Sequence, residues 1–307
     1  VNDAGKPSLS VVIPHLNQPE HLEKCLKSLH AQTRTIDDVE IIVVDNGSRE
    51  LPEAICKAYA DVQLITEEEP GPGPARNKGI SVAKAPLLAF IDADCIADEN
   101  WLSAITAAFD TPDTQVIGGD VRIAYANPDK LTMLEAYESV YAYRQKEYIE
   151  KQGFSGTGNL AMRRSVYDEV GPFAGIGVAE DIDWGHRAGK LGIKICYVET
   201  ATVYHPARNN LYELSQKWDR HTAHFFRDVR VRPFGRLRWA TRILAMALSP
   251  VFEIVRIFQS KRISGLHARF LAFTTLTHIR FYRAKIMTRL LFSGSYTNGA
   301  DQWNRIP

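Results

Sequence analysis

The stretch Pro86-Leu87-Leu88-Ala89-Phe90-Ile91-Asp92-Ala93-Asp94 sets an unbroken apolar run directly before two carboxylates. An apolar run of this length without alternation reads as a strand buried on both faces, the kind found in parallel sheets. Open α/β sheets bind ligands at the carboxyl ends of their strands, so Asp92 and Asp94 are expected on a ligand-binding rim. Paired acids there suit a hard divalent cation, Mg²⁺ or Mn²⁺, which prefers oxygen ligands and can neutralise the diphosphate of a nucleotide. A D-x-D triplet alone also occurs in ordinary turns and helix caps, so the flanking sequence has to decide.

That flanking sequence is regular. Residues 9–14 read as a strand, and 20–31, with Leu22, Cys25, Leu26 and Leu29 at helical spacing, as an amphipathic helix. Residues 39–44 form a second strand closed by Asp45-Asn46-Gly47-Ser48, followed by a helix at 52–59 and a strand at 62–65. The turn-rich stretch Pro70-Gly71-Pro72-Gly73-Pro74 then leads into a short helix from Ala75 and the strand carrying the acids. Strands alternating with helices at this spacing imply right-handed crossovers and a mainly parallel sheet with helices on both faces. The loop after Pro14, Asp45 and the Asp92/Asp94 pair should therefore converge on one rim, as in a nucleotide site. No G-x-G-x-x-G follows the first strand and no G-x-x-x-x-G-K-[ST] occurs, which disfavours a dehydrogenase or a P-loop enzyme.

Five motifs stand in register: Pro14-x-x-Asn17, Asp45-Asn46-Gly47-Ser48, Gly73-x-Ala75-Arg76-Asn77-x-Gly79, Asp92-Ala93-Asp94, and Glu180-Asp181-x-Asp183-Trp184. Over residues 9–206 the chain resembles the family 2 inverting glycosyltransferases, enzymes of GT-A fold that use nucleotide-diphosphate sugars. The resemblance implies that Pro14, Asn17, Asp45, Arg76 and Asp92 contact the nucleotide, with Asp45 accepting from the base; an Asx turn with Asn46-Gly47 is the plainer reading of Asp45. Arg76 would pair with phosphate or with a carboxylate such as Asp45. Asp94 would be the direct metal ligand, with Asp92 at the edge of the shell.

His205 closes a β-rich stretch, and the resemblance implies that it completes the metal shell; imidazole beside carboxylate suits Mn²⁺, although a lone His is more often structural. In the second acidic cluster the resemblance makes Asp181 the base that deprotonates the acceptor hydroxyl, with Glu180 in support and Asp183 a weaker candidate. A helix starting near residue 182 would welcome the same acids at its N-terminus. The segment 154–164 is expected beneath the donor sugar and acceptor, with Gly158 and Asn159 as contacts, and Trp184 could offer a ring to a sugar unless it is core.

Composition frames the rest. At 307 residues the chain can bury a large core, and its net charge of +1 argues against general nucleic-acid binding. The four cysteines are scattered without a C-x-x-C pair, which suits a reducing compartment better than zinc or disulfides. Residues 1–8 are polar and carry no secretory signal, though a chain opening on Val leaves room for a removed targeting segment. From Arg220 to Phe292 basic residues recur while the only acids are Asp228 and Glu253. Apolar helices with basic stripes are read at 239–258 and 270–279; their uncharged runs are too short to span a bilayer, which needs about 20 apolar residues. Such helices suit an anionic membrane surface, or equally a subdomain packed on the catalytic core or a dimer interface.

The organisation expected is a catalytic domain at 1–210 (nucleotide half about 9–95, acceptor half about 96–210) and a helical region at 211–307. The expected activity is metal-dependent inverting transfer from a nucleotide-diphosphate sugar, a UDP-sugar first among them, to a hydroxyl of a glycan or lipid-linked acceptor at the inner face of the cytoplasmic membrane. A sugar-1-phosphate nucleotidyltransferase is a rival, but would carry a Gly-rich loop where Pro14-His15-Leu16-Asn17 stands. A non-catalytic assembly subunit would leave Asp92, Asp94, Glu180 and Asp181 without a purpose.

Overall fold

A computed structural model describes residues 7–33, 38–230 and 233–293. Most of the polar opening segment and Arg232 of the basic run lie outside the described residues, as do the side chains of Arg220, Arg227 and Arg230. In chain order the elements are β1 (Leu9–His15), α1 (Pro19–Thr33), β2 (Val39–Asp45), α2 (Glu53–Lys57), β3 (Val62–Thr66), α3 (Pro72–Val82), β4 (Leu87–Ile91), β5 (Ile96–Ala97), α4 (Trp101–Phe109) and β6 (Val116–Ala124). They continue with α5 (Met133–Tyr141), α6 (Gln145–Glu147), a π-helical turn (Tyr148–Gln152), β7 (Asn159–Arg163), α7 (Arg164–Val170), α8 (Glu180–Lys190), β8 (Ile195–Pro206), α9 (Leu211–Arg230), α10 (Gly235–Gln259) and α11 (Gly265–Ser293).

The chain forms two compact units, Val1–Ala124 with Tyr143–Pro206, and Tyr125–Ala142 with Ala207–Pro307. Helix α5 thus groups with the C-terminal helices rather than with the strands that flank it in sequence.

In the first unit an eight-stranded sheet runs in the order β3-β2-β1-β4-β7-β6-β8-β5. The strands β3, β2, β1 and β4 are parallel, as the alternation of strands and helices requires. Beyond β4 the sheet is mixed: β7 runs antiparallel to β4 and β6, β8 parallel to β6, and β5 antiparallel to β8. The antiparallel step matters for the site, because Ile91 at the end of β4 faces Asn159 at the start of β7. Chain that leaves one strand and chain that enters the other therefore meet at one rim.

Period-2 alternation splits the strand side chains between two cores. Val11, Ile13, Ile41, Val43, Ala89 and Ile91 pack against Leu22, Leu26 and Leu29 of α1 and Trp101 of α4. Val12, Ile42, Val44, Leu88 and Phe90 pack on the opposite face against Ile80 of α3, Val166 of α7 and Trp184 of α8. Each fully buried aliphatic or aromatic side chain contributes about 1.5–3 kcal/mol, which makes this two-faced sheet the rigid base of the rim. Helix α3 starts at Pro72, before the expected Ala75, because a proline is at home in the first helical turn.

In the second unit Leu134, Tyr137, Leu214, Ile257, Ala272 and Leu276 form one core, and Phe226, Trp239, Ile286, Met287 and Leu290 another. Helix α5 opens with a capping box between Thr132 and Glu135. Among the described residues no helix is long and apolar enough to cross a membrane.

Candidate active site

The rim begins at the ends of β1 and β2. His15 and Asp45 are opposite one another in the strand register, both are buried, and Nδ1 of the imidazole lies 2.9 Å from Oδ1 of the carboxylate. The His15 Nε2 accepts from the Gln18 backbone N–H at 3.2 Å, so Nδ1 is the nitrogen that donates to Asp45. Oδ2 of Asp45 accepts from the N–H groups of Gly47 and Ser48, which is the Asx turn. Burial raises the Asp45 pKa, but the bonds from Ser48 and His15 outweigh it and hold the carboxyl below its usual range. Pro14 is half-buried in β1; Asn17 is exposed, with φ of 53°, and its Oδ1 accepts from the Arg49 backbone N–H. His15 was overlooked in the sequence motifs; its signal was its place at the end of a strand directly beside the strand ending in Asp45.

Arg76 lies inside α3, almost fully buried, and does not reach Asp45. It donates instead from Nη2 to Asp92 Oδ1 at 2.6 Å and from Nη1 to Glu180 Oε1 at 3.2 Å. One guanidinium thus ties the end of β4 to the start of α8 and brings the two acidic clusters together. Its Nε is buried without a partner. Burial raises the Glu180 pKa more than the charge of Arg76 lowers it. Asp181 is raised too, because burial outweighs both the Ile182 backbone N–H, which donates to Oδ1 at 2.8 Å, and the charge of Arg76. An acid held above its usual range is a better proton acceptor once ionised.

Asp94 and His205 meet from the other side of the rim, with His205 Nε2 3.2 Å from Asp94 Oδ2. Burial disfavours both charges, yet the bond between them outweighs it, lowering the Asp94 pKa and raising that of His205. The His205 Nδ1–H donates to the Pro206 carbonyl at 2.7 Å, which turns Nε2 toward the carboxylate. A backbone carbonyl on the far nitrogen is the usual way to orient a metal-binding imidazole. Two ligands about 2.1 Å from a cation in adjacent octahedral positions lie about 3 Å apart, so this oxygen and nitrogen fit as neighbours in one shell. Among the described residues no group of three or more His, Cys, Asp or Glu is placed to hold an ion unaided, so a cation here would draw its remaining ligands from substrate or water. Asp92, expected at both nucleotide and metal, gives Oδ1 to Arg76 and turns Oδ2 toward Gly158.

The acceptor residues expected from sequence divide. Gly158 lies on the rim against Asp92, and a Cβ there would come within 2.4 Å of Asp92 Oδ2. Asn159 is a correction. Its side chain is buried and engaged inside the protein, accepting from Trp101 Nε1 of α4 at 2.9 Å and donating to the Asp120 and Ala201 carbonyls at 2.7 and 2.8 Å. It bolts β7 to β6 and β8, with both amide N–H groups used and the side chain buried away from a sugar. Trp184 is a second correction: it is buried against Phe173, and its Nε1 donates to the Gly171 carbonyl, so its ring faces the core. Asp183 pairs with Arg187 at 2.9 Å along α8. Asn77 clamps the loop ahead of α8 by bonding both the N–H and the C=O of Phe173.

The sequence profile of Glycosyl transferase family 2 matches residues 10–171, which include Asp45 at the end of β2, Arg76 in α3 and the Asp92/Asp94 pair after β4. The chain belongs to glycosyl transferase family 2. Within this family the chain is similar to glycosyltransferase AglE of Haloferax volcanii, 34% identical over 66% of this chain and 68% of that protein. It is also 27% identical to EpsH of Bacillus subtilis over 70% of this chain, and it spans 64% of that relative. In fold it is similar to the mannosyltransferase PcManGT of Pyrobaculum calidifontis, solved with GDP-Man and Mn²⁺, with a TM-score of 0.57 at 17% identity over 95% of this chain and 89% of that one. A second likeness is to S. aureus TarS, solved with UDP-GlcNAc, with a TM-score of 0.53 at 15% identity over 95% of this chain and 93% of that one. The fold is therefore GT-A and the protein a family 2 glycosyltransferase, which sets aside the nucleotidyltransferase and the non-catalytic subunit.

Proposed function

We propose that this glycosyltransferase is metal-dependent and inverting, moving a sugar from a nucleotide-diphosphate donor, UDP-linked in the first instance, to a hydroxyl of a glycan or lipid-linked acceptor. The observation that carries this reading is the double ion pair of Arg76, which gathers Asp92, Glu180 and, one residue on, Asp181 at a single rim. In the reaction the Asp181 carboxylate takes the proton of the acceptor hydroxyl as its oxygen forms the new bond to the anomeric carbon. The bond from that carbon to the diphosphate oxygen breaks on the opposite face, and the electron pair leaves with the nucleoside diphosphate. Glu180, fixed by Arg76, orients the acceptor beside the base. Asp45, held by His15 and the Asx turn, keeps an oxygen lone pair for a base N–H, since each carboxylate oxygen can accept more than one bond. Asp94 and His205 would hold Mn²⁺ or Mg²⁺, which supplies neutralisation of the leaving diphosphate when bound.

Calorimetric titration of UDP, GDP, dTDP and CDP, with and without Mn²⁺, into the wild type and Asp94→Ala tests donor and metal together. Expected is metal-dependent binding of one nucleotide, with UDP foremost, that the substitution abolishes. Equal binding with and without metal, or in Asp94→Ala, would remove the metal assignment.

A further inference from the structure

Helix α10 presents apolar side chains on two opposite faces. Trp239, Pro250 and Ile257 are buried in the helical unit. On the far side Leu237, Leu244, Leu248, Val251, Val255 and Phe258 recur at helical spacing and are all exposed, with Phe252 beside them at 79%. At 1.5 Å per residue this stripe is about 30 Å long, far more contiguous apolar surface than a lone soluble helix normally leaves in water.

The residues bordering the stripe identify what covers it. About 100° per residue places Arg238, Arg242 and Arg256 together along one edge, and Arg236 lies on the other. Among the described residues of 233–293 the only acid is Glu253, and it is already engaged by Arg256 and Arg280 at 3.4 and 3.3 Å. Two copies meeting through this face would oppose arginines to arginines with no free carboxylate to relieve them. A surface that is apolar inside and anionic outside is complementary to both features. The helix cannot cross a bilayer, so it would lie in the headgroup plane.

We infer that the outward face of α10 is a docking surface for an anionic lipid bilayer, with Phe252, Leu248 and Phe258 entering the acyl boundary and the flanking arginines meeting lipid phosphates. This rests on the residues of α10 alone and not on the proposed transfer chemistry. It would hold the enzyme at the surface where a lipid-linked acceptor resides.

The test is flotation of the full chain with vesicles of phosphatidylcholine, and of phosphatidylcholine mixed with phosphatidylglycerol. The wild type should float with the mixed vesicles, release in high salt, and stay behind with the neutral ones. Phe252→Glu should cut partitioning by about tenfold or more, since a buried aromatic contact becomes a charge. Arg238→Gln combined with Arg242→Gln and Arg256→Gln should weaken it and flatten its salt dependence. Thermal melting should be unchanged in Phe252→Glu, because that side chain makes no core contact. Failure of the wild type to float, or equal flotation of Phe252→Glu, overturns the inference. So does a wild-type dimer that Phe252→Glu converts to monomer, which would assign the face to a second copy.

Discussion

Arg76 and Glu180 lie 104 residues apart in sequence and meet at 3.2 Å. The same guanidinium holds Asp92 at 2.6 Å, so the geometry of the rim depends on a planar group that can serve two carboxylates at once. Arg76→Lys replaces that fork with a single point charge and should lose one of the two contacts. Arg76→Ala strands two acids beside each other. Both partners keep some solvent access, so the loss of stability should be about 2 kcal/mol rather than the larger cost of a fully buried pair. Urea unfolding should show Lys falling between wild type and Ala, with transfer lowered by at least about tenfold in both.

Asp181→Asn should reduce turnover by about 10²–10⁴, the usual contribution of a general base, while nucleotide affinity stays nearly unchanged. Its effect on stability has the opposite sign to that of most site substitutions. The folded pKa of Asp181 is raised by burial above its unfolded value near 3.9. The stability linked to its proton is present in full below the unfolded value and is lost as pH rises through the raised one. At neutral pH the ionised carboxylate is therefore a burden on the fold, and Asp181→Asn should melt no lower than wild type. A clear drop in melting temperature at pH 7 would contradict this.

The same shift should appear in the pH profile. If Asp181 is the group whose ionisation turns transfer on, the acid limb of kcat/KM, which reports the free enzyme, falls at a higher pH than that of an ordinary aspartate. A limb at the position of an exposed aspartate would remove Asp181 from the role.

The strands and the rim were legible because their signals are local. The apolar run 86–91 ending in two acids, and strand 39–44 ending in Asp45, carry fold and location in one stretch of chain. The pairing of the acidic clusters was not legible. Arg76 was expected at phosphate or at a carboxylate such as Asp45, and only its ion pairs in the fold show that the carboxylates it serves are Asp92 and Glu180. Trp184 and Asn159 were misread for one reason: polar or aromatic residues next to a site motif look like ligand contacts until burial and hydrogen bonds are known. The antiparallel entry of β7 was hidden because a short apolar strand carries no mark of its direction.

The reassignment of Asn159 can be tested directly. Asn159→Ala would leave the Trp101 indole N–H and the Asp120 and Ala201 carbonyls without their partner in the interior, and unsatisfied buried groups cost about 1–3 kcal/mol each. Stability should fall by about 3 kcal/mol or more. The protein that remains folded at low temperature should keep its affinity for nucleotide and sugar donor. A variant of normal stability with a raised KM for donor would return Asn159 to sugar binding.

Gly158 offers the converse case, a residue whose missing side chain shapes the rim. Its backbone is not left-handed, so alanine is tolerated by the chain itself; the obstacle is Asp92, whose Oδ2 and Cγ would lie 2.4 and 2.9 Å from the new methyl. Asp92 is too short to move aside while keeping its bond to Arg76, so Gly158→Ala should rotate the carboxylate away and leave the guanidinium with Glu180 alone. We expect nucleotide affinity to fall by at least about tenfold, with a loss of stability no larger than that of Arg76→Lys. Introduced into Asp92→Ala, the same substitution meets no carboxylate and should add nothing further, because the two changes act through one contact. Additive losses in the double variant would mean that Gly158 touches substrate directly, and no loss in the single variant would mean that the position of Asp92 does not govern binding.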